Sequence, residues 1–153
     1  METLRGVVHP WHCDTMGHMN VRHYMGMFDD AGFQLLGMVA GSSDELFRQG
    51  QGWADVRHTI EYRHEARAGA LVVIRSHIVR VGRTSLAMRH EMSDVLTGML
   101  LATDEVVSVL FDLSARHSIP LPNDFRERAS ALQVGDPPHE DISTATNSNQ
   151  PSR

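Results

Sequence analysis

Cysteine occurs once in the 153 residues, at Cys13, so no internal disulfide can brace the fold, and a lone thiol fits a reducing compartment. Long apolar runs are also missing. The longest, such as residues 71–74 and 106–111, fall far short of the roughly 18 residues that a membrane-spanning helix needs. Residues 1–9 carry Glu2 and Arg5 and lack an apolar h-region followed by a small-residue cleavage site, so no secretory signal is expected and the cytoplasm is the expected location. An excess of basic charge is absent too. A net charge of −5 argues against nucleic acid as the main partner, because such binding favours basic surfaces. There is no internal repeat and no heptad run, which excludes solenoids and coiled coils.

What is present fits one globular domain. An apolar fraction of 41% with 22% charged residues can supply a core, and the length matches about one domain. The domain is expected over residues 1–132. Residues 133–153, which from Gly135 are rich in Pro, Ser, Thr and Asn, are expected to form a disordered polar tail.

A short strand is expected over residues 3–8, ended by His9 and Pro10. A loop then runs from Trp11 to Met19. From Asn20, a plausible N-cap, the spacing turns helical: Tyr24, Phe28, Ala31, Leu35 and Met38 fall on one stripe. Met25, Met27, Phe33 and Leu36 flank it, so burial over most of the girth is expected, and Gly26, Gly32 and Gly37 suggest closely approaching backbone. Glycine-rich loops around residues 44–48 allow one helical turn. The period then changes to two, with Val56, His58, Ile60 and Tyr62 alternating with polar residues. A turn at Gly69, a β-rich stretch over residues 71–81, a tight connection at residues 81–83, and the alternation of Leu86, Met88, His90 and Met92 predict a hairpin. With a turn at residues 97–98 and a strand over 101–113, the reading is a four-stranded antiparallel meander after one central helix. Pro120 and Pro122 precede a short helix over residues 123–131.

The chemistry concentrates where polar residues crowd the start of the central helix: Trp11-His12-Cys13-Asp14-Thr15-Met16-Gly17-His18-Met19-Asn20. The positive end of the helix dipole and the free N–H groups of its first turn can stabilise a developing oxyanion. Asp14 is placed to act there as nucleophile or general base, Gly17 lets a ligand approach, and His18 and Asn20 can orient water or substrate.

Asp14-x-x-Gly17-His18-Met19-Asn20-x-x-x-Tyr24, followed by Phe28 and Ala31, resembles the signature of the hydroxybenzoyl-CoA thioesterase branch of hot-dog proteins. Ile60-Glu61-Tyr62, Gly69, the stretch from Val81 to Ser85 and Ile119-Pro120-Leu121-Pro122 resemble later landmarks, so the likeness covers residues 4–131. The Trp-x-x-Asp-x-x-Gly-His-Met-Asn form is most similar to carnitine- and betaine-type acyl-CoA thioesterases. Plant acyl-carrier thioesterases share the Asp and His but have an asparagine where this chain has Met16. The resemblance implies an α+β hot-dog fold, a five-stranded antiparallel sheet wrapped around one long central helix. It also implies acyl-CoA thioester hydrolysis with Asp14, His18 and Asn20 as catalytic residues. Gly17, Met19, Val21 and Tyr24 would contact substrate, with the thioester carbonyl over the amides of residues 19–21. Basic and hydroxyl residues at the third-to-fourth strand turn, Arg80, Arg83, Thr84 and Ser85, would hold the nucleotide of coenzyme A. Coenzyme A is then part of the substrate, no separate cofactor is expected, and a homodimer or homotetramer is implied, with active sites at an interface.

Plainer roles compete with each of these. Asp14 can be a turn residue, His18 a structural histidine, and Arg80 and Arg83 solvated turn charges. The methionines suit a core as well as an acyl pocket. Trp11 and Trp53 fit ordinary packing or an aromatic cage for a quaternary ammonium. His12, His18 and His23 match no recognised ligand spacing, so no metal is expected. Two other functions remain open: a hot-dog enoyl-thioester hydratase or dehydratase, whose Asp and His lie one residue further apart, and a non-catalytic acyl-CoA binding module.

Overall fold

A computed structural model describes residues 1–48 and 50–134. Strand β1 (Glu2–Val7) leads through a 3-10 turn at Pro10–His12 to the long helix α1 (Val21–Ala40) and a single turn, α2 (Ser43–Leu46). Strands β2 (Gln51–Tyr62), β3 (Leu71–Val81), β4 (Ser85–Asp94) and β5 (Leu100–Asp112) follow, then the two-residue β6 (His117–Ser118) and helix α3 (Asn123–Ala131). All strand pairs are antiparallel. The five long strands and the one long helix are those the resemblance implies. No helix among the described residues is long and apolar enough to cross a membrane.

Strand order corrects the meander. The sheet runs β1-β3-β4-β5-β2, with β6 on β5, so β2 pairs with β5 and not with its sequence neighbour β3. Alternation tells which face of a strand is buried, not which strand lies beside it. Residues 63–70 therefore cross from one edge of the sheet to its other side, where β1 has taken the place next to β3. The short β6 was not anticipated.

Helix α1 begins as the sequence requires: the Asn20 side chain accepts the Arg22 N–H, the usual N-cap bond. It ends at Gly41, whose φ of 81° is the left-handed conformation that glycine adopts without strain. Tyr24, Phe28, Ala31 and Leu35 are buried, but Met38 is exposed and Val39 takes its place. Burial over most of the girth is also corrected, since Arg22, Gly26, Asp29, Asp30 and Phe33 stay exposed in the chain by itself. Gly26 faces open space, so close packing does not explain it.

Two apolar clusters fill the space between α1 and the sheet. At one end Tyr24, Phe28 and Ala31 meet Val72, Ile74, Met92 and Ala102. At the other, Leu35, Leu36 and Val39 meet Ile78, Leu86, Met88, Val106 and Leu110, with Phe125 and Ala129 of α3. Between them a polar belt crosses the sheet. Ser76 is in register with His90, and His90 with Asp104, and all three are almost fully buried. Thr3 extends the belt onto β1 through Ser76, and His58 onto β2 through Asp104. The expected tail from residue 135 onward lies outside the described residues. Gln133 and Val134 still follow β3, the Val134 N–H donating to Ile78 O at 3.0 Å.

Candidate active site

The residues before α1 form a small hairpin that presents Asp14. The Asp14 N–H donates to His18 O at 3.0 Å and the Gly17 N–H to Asp14 O at 3.0 Å, closing a three-residue loop over residues 15–17. Gly17 sits at φ 81°, the position where such loops need a left-handed residue. Asp14 Oδ1 accepts the Met16 N–H at 2.9 Å, so the turn role is real. Its Oδ2 is met by Asn20 Nδ2 at 3.4 Å. Asn20 thus works at both ends of its carboxamide: the oxygen caps α1 and the nitrogen steadies a half-buried carboxylate.

The amides expected to hold the thioester carbonyl are not equivalent. The Met19 N–H donates to Ala66 O at 2.8 Å and the Asn20 N–H to His12 O at 2.9 Å. Both are occupied. Val21 is the first residue of α1, and among the described residues no acceptor faces its N–H. It projects from the positive end of a 20-residue helix, beside the loop that carries Asp14. A carbonyl oxygen gaining negative charge is stabilised in that position by the N–H and by the helix dipole.

The other predicted residues divide. His18 does not meet Asp14 through its ring: Nε2 lies 2.9 Å from Glu65 Oε2, the imidazole half-buried and the carboxylate exposed. Met19 and Tyr24 are core residues, 5% and 3% exposed. The Tyr24 hydroxyl accepts the Ala66 N–H at 3.3 Å, and its ring packs edge-on against Tyr62. These two hold the loop in place from beneath.

Arg83, Thr84 and Ser85 are elsewhere. Their turn is tied to the far end of the fold by the Leu121 N–H donating to Arg83 O and the Leu110 N–H donating to Thr84 O. Leu110 packs with Leu35, Leu36 and Val39 near the C-terminus of α1. A 20-residue helix is about 30 Å long, so one chain does not bring this turn to its own Asp14. The two tryptophans also stay apart: Trp11 stacks on His9 at 4.3 Å, and Trp53 packs on Phe125 at 5.3 Å. No group of three His, Cys, Asp or Glu side chains among the described residues is arranged to hold a metal ion.

Sequence reading missed a second polar cluster. His58 Nδ1 lies 2.8 Å from Asp104 Oδ2 and its Nε2 3.3 Å from Asp55 Oδ2, while the Ser108 hydroxyl donates to Asp55 Oδ1. Burial raises the Asp104 carboxyl above the usual carboxylate range, opposed by its bond to His58. Burial also holds His90 neutral, its pKa pushed down to about 4. The available signal was a polar residue at an inward position of an alternating strand, as at His90 and Asp104.

Known proteins give the arrangement its family. No curated protein matches the sequence, but several solved structures share the fold. A hypothetical protein from Staphylococcus aureus in complex with CoA superposes with a TM-score of 0.81 at 16% identity, covering 97% of this chain and 96% of that one. A Thermus thermophilus thioesterase complexed with coenzyme A and Zn gives 0.72 at 26% identity, over 86% and 93%. A 1,4-dihydroxy-2-naphthoyl-CoA thioesterase from Synechocystis gives 0.73 at 18% identity, over 84% and 95%. The sequence profile of the thioesterase-like superfamily matches residues 8–129, a span that takes in the Asp14 hairpin, α1 and every strand from β2 onward. A hot-dog fold with that profile along most of its length places the chain in the thioesterase-like superfamily, whose chemistry is thioester hydrolysis.

Proposed function

We propose that this chain is a cytoplasmic acyl-CoA thioesterase in which Asp14 is the reacting carboxylate and the Val21 N–H binds the carbonyl oxygen. The observation that carries the reading is the one uncommitted amide at the start of α1, next to the loop that presents Asp14. In the direct route, Asp14 attacks the acyl carbon, a C–O bond forms, the C–S bond breaks, and coenzyme A leaves as thiolate. Water then hydrolyses the mixed anhydride and restores the carboxylate. In the alternative route, Asp14 takes a proton from water and that water attacks. Asn20 Nδ2, 3.4 Å from Oδ2, restrains the carboxylate in either case, while Gly17, exposed and without a side chain, leaves room for the thioester.

Two copies of the chain complete the site in this reading. β2 is a 12-residue edge strand with Val56 61% and Tyr62 49% exposed, and such an edge invites a partner. Two-fold pairing of antiparallel β2 edges would set the Asp14 end of one chain beside the Arg83 turn of the other. That turn's guanidinium and hydroxyls would meet the nucleotide phosphates of coenzyme A. Light scattering coupled to size exclusion should report a dimer or a multiple of it.

The decisive experiment measures free thiol release from short-chain, betainyl, aromatic and long-chain acyl-CoAs, with wild type beside Asp14→Asn. Release that depends on Asp14 supports the enzyme. Acyl-CoA binding with no release would make the chain a binding module. Label in the Asp14 carboxyl after a single turnover in 18O-water would establish the anhydride, since the general-base route places none there.

A further inference from the structure

The polar belt borders a cavity of about 240 Å3 between α1 and β2. Phe28, Phe33 and Trp53 give it apolar walls, and Asp29, Asp55, His58 and His90 face into it. Thr3 Oγ1 lies 3.3 Å from Ile74 O and 2.6 Å from Ser76 Oγ, and Ser76 Oγ lies 2.6 Å from His90 Nδ1. His90 Nε2 is buried with no partner among the described residues. With the ring proton on Nδ1, donated to Ser76, a neutral His90 presents a bare lone pair on Nε2. It points toward Gly32, 3.8 Å from where a Cβ would stand there.

His58 settles the charge. Both of its nitrogens face carboxylate oxygens, which accept only. Satisfying both contacts requires either an imidazolium between two carboxylates or a neutral imidazole beside one protonated carboxyl. Either way Asp55, His58 and Asp104 together carry one negative charge, and Asp29 adds to it. No arginine lines the cavity among the described residues. It offers acceptors and negative charge, and asks for donors.

Helix geometry connects this cavity to the Asp14 end. At about 100° per residue, Val21, Met25, Gly32 and Leu36 fall within about 60° of one another on α1, and Phe28 lies about 10 Å along the axis from Val21. Exposed Val21 and half-buried Met25 share this stripe with Gly32 and Leu36 of the cavity lining.

We propose that the cavity receives the far end of the acyl group and selects chains that end in a hydrogen-bond donor, a hydroxyl or an ammonium, over those ending in methyl or carboxylate. The proposal rests on the thioesterase reading and narrows its substrate. Sites built to pair with a donor discriminate strongly against analogues that lack it, because the buried acceptor is then left bare.

The test is a set of medium-chain acyl-CoAs of one length that differ only in the terminal group, compared by kcat/KM. Hydroxyl- or ammonium-ended chains should exceed the methyl-ended one at least tenfold, with the carboxylate-ended chain lowest. Which of the two leads identifies the donor. Gly32→Ala, which sets a methyl against His90 Nε2 at an ordinary contact distance and favours the helix, should shrink the preference. Asp55→Asn should shrink it most for ammonium. Equal or better turnover of the methyl-ended chain by wild type would overturn the proposal. If no thioester is cleaved, the thioesterase reading fails, and calorimetry with the corresponding non-hydrolysable thioethers decides the cavity alone. The same tenfold ranking in affinity supports it, and a flat ranking sinks it.

Discussion

His58 and Asp104 meet at 2.8 Å across β2 and β5, the carboxylate fully buried and the imidazole 18% exposed. A charge so enclosed persists because the histidine can share its proton. Removing the ring while keeping the acid should therefore cost more than removing both. His58→Leu is expected to lose about 3 kcal/mol and the double variant His58→Leu/Asp104→Leu less, which urea unfolding midpoints would show. A double variant at least as unstable as the single one would contradict this.

Val21 allows the oxyanion donor to be removed without touching a side chain in the site. It is the first residue of α1, where proline is well tolerated, and Asn20 before it already has φ −71° and ψ 145°, the region that proline imposes on its predecessor. Val21→Pro should fold with a melting temperature within a few degrees of wild type. Its kcat should fall by about a hundredfold or more, as for loss of one oxyanion donor elsewhere. Unchanged kcat would move the carbonyl away from this amide.

Asp14→Asn keeps an oxygen able to accept the Met16 N–H, so the turn survives. The expected outcome is a loss of at least about a hundredfold in kcat with stability changed by less than about 1 kcal/mol. A variant that unfolds instead would make the residue structural.

His90 makes stability depend on pH. Its folded pKa of about 4 lies below its ordinary 6.5, so between those values the unfolded chain holds a proton that the fold excludes. Stability from this group is complete above pH 6.5 and falls as the pH drops toward 4, by about 3 kcal/mol in all. Asp104 pulls the other way: its raised pKa means that the fold retains a proton the unfolded chain has lost, so acidification favours folding in that window. Comparing wild type with His90→Gln at pH 7 and pH 4.5 isolates the histidine. Wild type should lose about 2 kcal/mol more than the variant over that interval.

Arg128 seals the other end of α1. Its guanidinium donates to Val39 O at 2.7 Å and Ala40 O at 3.2 Å and pairs with Glu45. These are terminal carbonyls without helical partners. Arg128→Ala should cost about 1 to 2 kcal/mol by thermal melting, and Arg128→Lys should recover only part, since an ammonium cannot span three acceptors with a planar fork.

Much of this fold was legible where local chemistry dictates it. Asn20 before an apolar stripe gave the start of α1, Pro122 the start of α3, and Leu86, Met88, His90 and Met92 the inward face of β4. The neighbour of β2 was not legible, because Val56 and Tyr62 alternate in the same way whichever strand lies alongside. Asp14 was found through its loop and its resemblance to a signature. Asp104 was missed although it shares the inward parity of Val106 and Leu110, and Asp55 because nothing local shows that β2 lies beside β5, where Ser108 and Asp104 meet it and His58. Tyr24 was placed at the substrate by motif, yet its hydroxyl is engaged by the Ala66 amide.

The belt of Thr3, Ser76, His90, Asp104 and His58 also sets how the strands can assemble. A greasy interior tolerates sliding, because one methyl group serves nearly as well as the next. Here a shift of β4 by a single position would turn His90 out and Arg89 in, leaving Ser76 and Asp104 without their neighbour. A shift by two would keep the faces but strand those groups against methionine. Each group finds its proper mate at one alignment alone, so the belt acts as a combination lock on refolding, and its members should trade misassembled, slow-folding chains for a modest loss of native stability.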